Sequence, residues 1–96
     1  MPLNNKKKLI LQRRKLDKLD NKLLSLIKIR TEIIKKVISL KNNKKEIVDK
    51  KRIAYILRKV KKASIKRKID PTITNKIWKN MIWSYIDFER KNFKKK

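Results

Sequence analysis

The stretch IKIRTEII, residues 27–34, decides how the first half of the chain folds. Around it, apolar residues recur at intervals of three and four, which is the spacing of one face of an amphipathic α-helix: Leu16, Leu19, Leu23, Leu26, Ile33, Ile34, Val37 and Leu40. Arg30 falls on this apolar face. A charge on an inner face is costly unless a partner compensates it, so Arg30 is predicted to have a binding partner.

The composition removes several classes of chemistry. The chain has 96 residues, enough for one small domain, and it contains neither cysteine nor histidine. Disulfides, thiolate catalysis and the common zinc sites are therefore excluded, and the usual general base is missing. We expect no metal and no cofactor. No apolar run approaches the ~20 residues that span a bilayer, and no secretory signal follows MPLNNKKK, so the expectation is a soluble, cytoplasmic protein.

The net charge is +24, from 32 Lys and Arg against 8 Asp and Glu. Such a charge is typical of nucleic-acid-binding proteins. AT-rich codon usage gives the same composition, because Lys, Ile and Asn abound while Gly is absent and Pro occurs twice. Charge alone therefore does not predict a nucleic-acid partner.

Arginine is informative against this lysine-rich background. Where Lys is the default cation, an Arg on an apolar face indicates that the planar guanidinium is needed. Its fixed donors bind a carboxylate through two hydrogen bonds, which an ammonium group cannot do.

Three helices and no strand are predicted. The first runs from about Asn5 to about Asn42, where adjacent asparagines favour a turn. The second starts near Asp49 as N-cap and carries Ile53, Ile56, Leu57, Val60 and Ser64 on one face. The third starts at Asp70 and Pro71, and its inner face is predicted to hold Ile73, Ile77, Trp78, Met81, Tyr85, Phe88 and Glu89. We predict one all-α domain, residues 1–96, with frayed basic ends at 1–8 and 94–96.

The first helix is too long for a monomer. About 35 residues span roughly 50 Å, whereas a compact chain of this size has a diameter of roughly 32 Å. A second copy paired by a twofold axis would cover the projecting apolar face, so we predict a homodimer. The rival is a bent helix, but no Pro or Gly marks a kink.

Polar residues that interrupt the inner faces are candidates for a site. Arg30 and Lys41 are eleven residues apart, close to three helical turns, and so share a face. Arg13 lies roughly 25 Å before Arg30 and would serve a partner's site in an antiparallel pair. In the third helix, Tyr85 and Glu89 face the same way.

Simpler interpretations of these residues stay open. Arg13 could be solvated, and Arg30 could pair structurally with Asp20 or Glu32 of another helix. Glu89 could merely neutralise Lys41 or Arg90, and Asp49 is a cap in any case. Taken together, two arginines, a lysine and one carboxyl group suit a small dianionic ligand. They also suit a reaction that needs restraint and charge stabilisation rather than proton transfer.

The chain resembles a known family. LDKLDNKLLSLIKIRTEIIKKVISLK (16–41), IVDKKRIAYIL (47–57) and IDPTITNKIWKNMIWSYIDFE (69–89) are similar to the all-helical chorismate mutases of type II, over about residues 9–93. The order and spacing of the motifs carry the likeness. The resemblance implies three helices per chain and an intertwined homodimer in which the long first helices span both subunits.

The resemblance also implies roles for the candidate residues. Arg13 of one chain and Arg30 of the other would hold the two carboxylates of chorismate. Lys41 would address the ether oxygen, on which negative charge builds during the pericyclic rearrangement to prephenate. Arg52 and the Asp49 backbone would edge the ring.

Glu89 takes the place where many members have Gln, and it would donate a hydrogen bond to the ether oxygen only when protonated. Two positions depart from the mutase pattern. Ile53 stands where Glu is usual, and Tyr85 where a small Ser is common. Isochorismate pyruvate lyases, which share the fold, resemble the chain at both positions. The mutase is therefore the leading hypothesis, the salicylate-forming lyase the alternative, and a basic helical nucleic-acid-binding module the third.

Overall fold

The structure is a computed structural model that describes residues 2–93 of the 96-residue chain. Within that range the chain forms three α-helices, one short 3-10 turn and no strand, which confirms the all-α prediction. The elements are α1 (Leu3–Leu40), the 3-10 turn (Lys44–Glu46), α2 (Lys50–Lys66) and α3 (Pro71–Asn92). The predicted frayed end at 94–96 lies outside the described residues.

The chain divides into two compact units, one up to Ile34 and the other from Lys35 onward. The first unit consists of most of α1. The second contains the last turns of α1, the 3-10 turn, α2 and α3. No helix of the described residues is long and apolar enough to cross a membrane.

Helix α1 starts earlier and ends earlier than its sequence indicates. Residues 3–8, predicted to be frayed, are helical, because Lys is a good helix former and no Gly or Pro lies within α1. The helix ends at Leu40, where the Lys41 N–H donates to the Ile38 carbonyl at 3.1 Å. Lys41 therefore lies just beyond the helix. The prediction that it shares a helix face with Arg30 assumed that the helix continues to Lys41, so helical spacing does not determine where the Lys41 side chain points.

The apolar face of α1 in the first unit is exposed rather than buried. Leu16 is 57% exposed and Leu26 is 62% exposed, and Leu19 and Leu23 are also exposed. The prediction of α1's inner face is therefore not confirmed here, and the buried residue that α1 does have, Ile38, was not among the predicted ones.

The core of the second unit lies where α2 packs on α3. Its buried members are Ile47, Ile82 and Ile86, and partly buried residues of α2 pack against them: Ile53, Ile56 and Leu57. The predicted inner face of α2 is confirmed by these contacts and by the buried Ser64.

The predicted inner face of α3 is partly wrong. Ile73 and Ile77 are 55% and 53% exposed, whereas Ile82 and Ile86 are buried. Helix α3 is apolar on more than one side, since Trp83 is exposed as well. Periodicity alone therefore cannot say which side meets α2.

A tight turn without glycine joins α2 to α3. The N–H of Ile69 donates to the Ser64 carbonyl at 2.9 Å and that of Lys68 to the Ile65 carbonyl at 3.1 Å, the pair of bonds of a Schellman motif. This motif needs a left-handed residue, and Lys68 supplies it with φ 58°. Because the chain has no Gly, a residue with a Cβ accepts that strain.

Side-chain hydrogen bonds then fix the start of α3. The Asp70 side chain accepts from the Thr72 N–H at 2.9 Å and from the Thr72 hydroxyl at 2.8 Å, with Pro71 in the first turn. These bonds confirm Asp70 as the N-cap, and they hold the pKa of its carboxyl below the ordinary 3.8, the backbone bond being the larger cause. Across the turn, the hydroxyl groups of Ser64 and Thr74 lie 2.7 Å apart.

Candidate active site

A partly buried ion pair marks the candidate site in the second unit. The Nζ of Lys41 lies 2.8 Å from the Oε2 of Glu89, with side-chain exposures of 18% and 7%. Lys41 follows the end of α1, whereas Glu89 is buried near the end of α3. A buried ion pair contributes little net stability, because desolvation of both groups offsets their attraction. The pair is therefore more readily explained by a role in binding or catalysis than by a contribution to fold stability.

A cavity of about 490 Å³ lies beside Lys41. Its volume is in the range of small-molecule sites. Four lysines and two acidic residues line it, together with one valine: Lys41, Lys45, Lys50, Lys51, Glu46, Asp49 and Val48. The excess of cations favours a small anionic ligand.

Sequence reasoning missed much of this lining. It selected Lys41 and Asp49 but neither Lys45 nor Lys50. The available signal is the cationic run KNNKKEIVDKK at 41–51; its first part predicts only the end of the first helix, and Asp49 predicts the start of the second. Glu46 is held within this loop, since its Oε2 accepts from the Asn42 N–H at 3.2 Å.

Asp49 acts as a helix cap, as predicted. Its Oδ1 accepts from the Arg52 N–H at 3.0 Å. The Arg52 guanidinium is directed elsewhere, with its Cζ 5.3 Å from the centre of the exposed Tyr55 ring. Ile53 packs against the core of the second unit.

The remaining predicted residues lie on α1 and α3. Arg13 is exposed and Arg30 is half-buried, both in the first unit. Seventeen residues of one helix separate them, roughly 25 Å. Tyr85 is half-buried on α3, one turn before Glu89.

Among the predicted site residues, the ion pair joins Lys41 with Glu89, and Lys41 shares the cavity lining with Asp49. Neither the ion pair nor the cavity lining includes Arg13, Arg30, Arg52, Ile53 or Tyr85. Within residues 2–93 no cluster of three or more acidic, Cys or His side chains could hold a metal ion.

Over residues 2–93, fold and site together define a small all-helical protein with a cationic pocket and a partly buried Lys–Glu pair. The model of the chorismate mutase type II family matches residues 12–90, and the chain belongs to this family. Its members are isomerases that act on chorismate in aromatic amino-acid biosynthesis. Comparison with curated proteins and with solved structures gave no match.

Proposed function

We propose that this chain converts chorismate to prephenate. The observation that carries the proposal is the partly buried contact between Lys41 and Glu89. In the rearrangement the ether C–O bond breaks while a new C–C bond forms within the same molecule, and negative charge builds on the ether oxygen. A fixed cation beside a group able to donate a hydrogen bond would stabilise that charge more in the transition state than in the substrate.

The cationic cavity supports a dianionic substrate. Lys41 is common to the ion pair and the cavity lining, so an anion bound there would compete with Glu89 for the ammonium group. Because the rearrangement is intramolecular, the protein needs to hold the reactive conformer and stabilise its charge, without moving a proton between molecules.

The roles of the arginines rest on the resemblance to the family. We extend the proposal to Arg13 and Arg30 as the residues that bind the two carboxylates, and to Arg52 and the Asp49 backbone at the ring. The guanidinium fork suits this task, since it binds a carboxylate through two parallel hydrogen bonds.

We further propose that the active protein is a homodimer. Helix α1 has 38 residues, a length of roughly 57 Å, and its leucines between residues 16 and 26 are exposed. A second copy supplies a matching apolar face through a twofold axis. Arg13 would then enter the partner's site.

An isochorismate pyruvate lyase is the second candidate. Ile53 and Tyr85 favour it, because lyases of this fold resemble the chain at both positions. Ile53 packs in the core, so it offers no polar group to the ring hydroxyl that a mutase usually addresses with Glu.

The deciding experiment incubates the purified protein separately with chorismate and with isochorismate. Prephenate, salicylate and pyruvate are then assayed. Prephenate from chorismate supports the mutase, whereas salicylate with equal pyruvate from isochorismate supports the lyase. Lys41→Ala should abolish either activity, and the matched control Lys36→Ala, which removes an exposed lysine of α1, should retain it. Turnover of neither substrate by the folded protein contradicts the proposal.

A further inference from the structure

The outer face of α2, with the turn that follows it, is strongly cationic. Residues 50–69 contain no Asp or Glu. All their basic residues are exposed, and together they hold ten of the chain's 32 Lys and Arg: Lys50, Lys51, Arg52, Arg58, Lys59, Lys61, Lys62, Lys66, Arg67 and Lys68. AT-rich codon usage favours Lys over Arg, but it does not account for this absence of acidic residues. We call this set the α2 basic face.

The α2 basic face is directed away from the core. Ile53, Ile56 and Leu57 turn the opposite side of the helix toward α3. Like charges four residues apart on one helix repel each other, as Arg58 and Lys62 do here. A bound polyanion would relieve that repulsion and release its counterions.

An exposed aromatic ring lies among these cations. Tyr55 is 46% exposed. The Arg52 Cζ lies 5.3 Å from its ring centre and the Lys59 Nζ lies 5.8 Å from it. An accessible aromatic ring flanked by cations is the arrangement on which proteins stack an unpaired base while binding the adjoining phosphates.

Other polyanions fit this surface less well. A helix that binds a lipid surface inserts its apolar side, but the apolar side of α2 packs on α3. In a duplex the bases stack on one another, so the Tyr55 ring would have no base to receive. An unpaired strand offers both phosphates and free base faces.

We propose that the α2 basic face binds single-stranded polynucleotide, with phosphates on its lysines and arginines and a base stacked on Tyr55. Lys50 and Lys51 of this face also line the candidate cavity, and Arg52 is proposed at the substrate ring, so the strand and the substrate would share the first turn of α2. Arg58, Lys62 and Tyr55, which the test changes, are not part of the proposed active site.

Fluorescence anisotropy of the full chain with labelled single strands of about 20 nucleotides, one DNA and one RNA, tests the proposal. Affinity should fall steeply as salt rises. Arg58→Glu combined with Lys62→Glu should weaken binding at least about tenfold. The control, Lys6→Glu combined with Lys7→Glu, makes the same change in net charge on α1 and should bind within about twofold of the parent. Tighter binding of either strand chemistry identifies the preferred polynucleotide.

A second series tests the stacking. Tyr55→Leu should weaken binding about tenfold, whereas Tyr55→Phe should bind like the parent. Circular dichroism checks the fold of every variant. If the double charge reversal does not fold, Arg58→Gln combined with Lys62→Gln replaces it.

Three results would overturn the proposal. Equal loss in the two double variants would mean that net charge alone attracts the strand. Equal competition by a duplex of the same sequence, or by phosphatidylserine vesicles, would mean that unpaired bases are not recognised. Binding by Tyr55→Leu as tight as that of the parent would show that no base stacks on Tyr55.

Discussion

Lys41 and Glu89 are 48 residues apart in the chain, yet the Nζ of one lies 2.8 Å from the Oε2 of the other. The contact joins the residue after α1 to the last third of α3. Glu89 thus faces a cation in the free protein, whereas the proposed reaction needs it to donate a hydrogen bond to the ether oxygen. The dianionic substrate would compete with Glu89 for the ammonium group of Lys41.

The first prediction concerns the hydrogen bond that Glu89 would donate to the ether oxygen. If Glu89 is the donor, Glu89→Gln should hold or raise the turnover of chorismate at about pH 8, since an amide donates at every pH. Steady-state rates across pH provide the measurement. Asp87→Asn, which changes an exposed carboxylate of the same helix, is the control and should keep the parent activity across pH. Loss of activity at all pH values in Glu89→Gln would show that the carboxylate is needed as an anion, to position Lys41 or to act in a lyase-like reaction.

The second prediction is that Arg30→Lys is not conservative. It keeps the charge but loses the planar fork, so transition-state stabilisation should fall by at least ~2 kcal/mol, with little change in thermal stability. The measurement is kcat/KM together with the Tm. Arg14→Lys, at an exposed position of the same helix, should behave like the parent. Near-normal turnover of Arg30→Lys would make Arg30 a structural residue.

The third prediction tests the composite site of the proposed dimer. Arg13→Ala and Arg30→Ala chains should each be inactive alone. Mixed and re-annealed, they should regain activity, because in the heterodimer both lesions fall in one site and the other site is intact. Light scattering at micromolar concentration measures the assembly. A fully active monomer, or mixed chains without recovered activity despite heterodimer formation, would contradict the prediction.

The fourth prediction is a pH-dependent stability from Asp70. Because its pKa is lowered in the folded chain, its stabilisation is present above 3.8 and is lost as the pH falls through the lower folded value. Asp70→Ala should therefore lower the Tm at pH 7, and the difference from the parent should narrow toward about pH 2.5. Thermal unfolding followed by circular dichroism measures both. Asp87→Ala, at an exposed aspartate within α3, should show a smaller loss at pH 7. An unchanged difference at low pH would mean that the cap works without its charge.

The fifth prediction concerns the strained turn between α2 and α3. Lys68→Gly removes the Cβ from a left-handed residue and should raise the unfolding free energy by up to about 1 kcal/mol, reduced by the greater freedom of the unfolded chain. Lys68→Ala removes the charge but keeps the Cβ, so it should not reproduce the gain. Urea unfolding distinguishes the two. Equal effects of both substitutions would assign the change to charge.

Much of the local structure was predictable from sequence. The three helices, the caps at Asp49 and Asp70, and the inner face of α2 follow from signals within a few residues of each other. The resemblance to the family rested on the same local strings, and the family match over residues 12–90 agrees with it. The association of Glu89 with Lys41 was only one of several open interpretations.

The tertiary structure selected between helix sides that are equally apolar in the sequence. Helix α3 is apolar on several sides, and only packing against α2 selected Ile82 and Ile86 over Ile73 and Ile77. Because α1 ends at Leu40, Lys41 lies outside the helix and its side chain does not follow the helical spacing. The loop that follows brings the lysines of the cavity lining together. Periodicity records that a face is apolar, but which face is buried depends on contacts between residues distant in the chain. The sequence therefore determined the helices and their caps, and the tertiary structure determined which side chains meet.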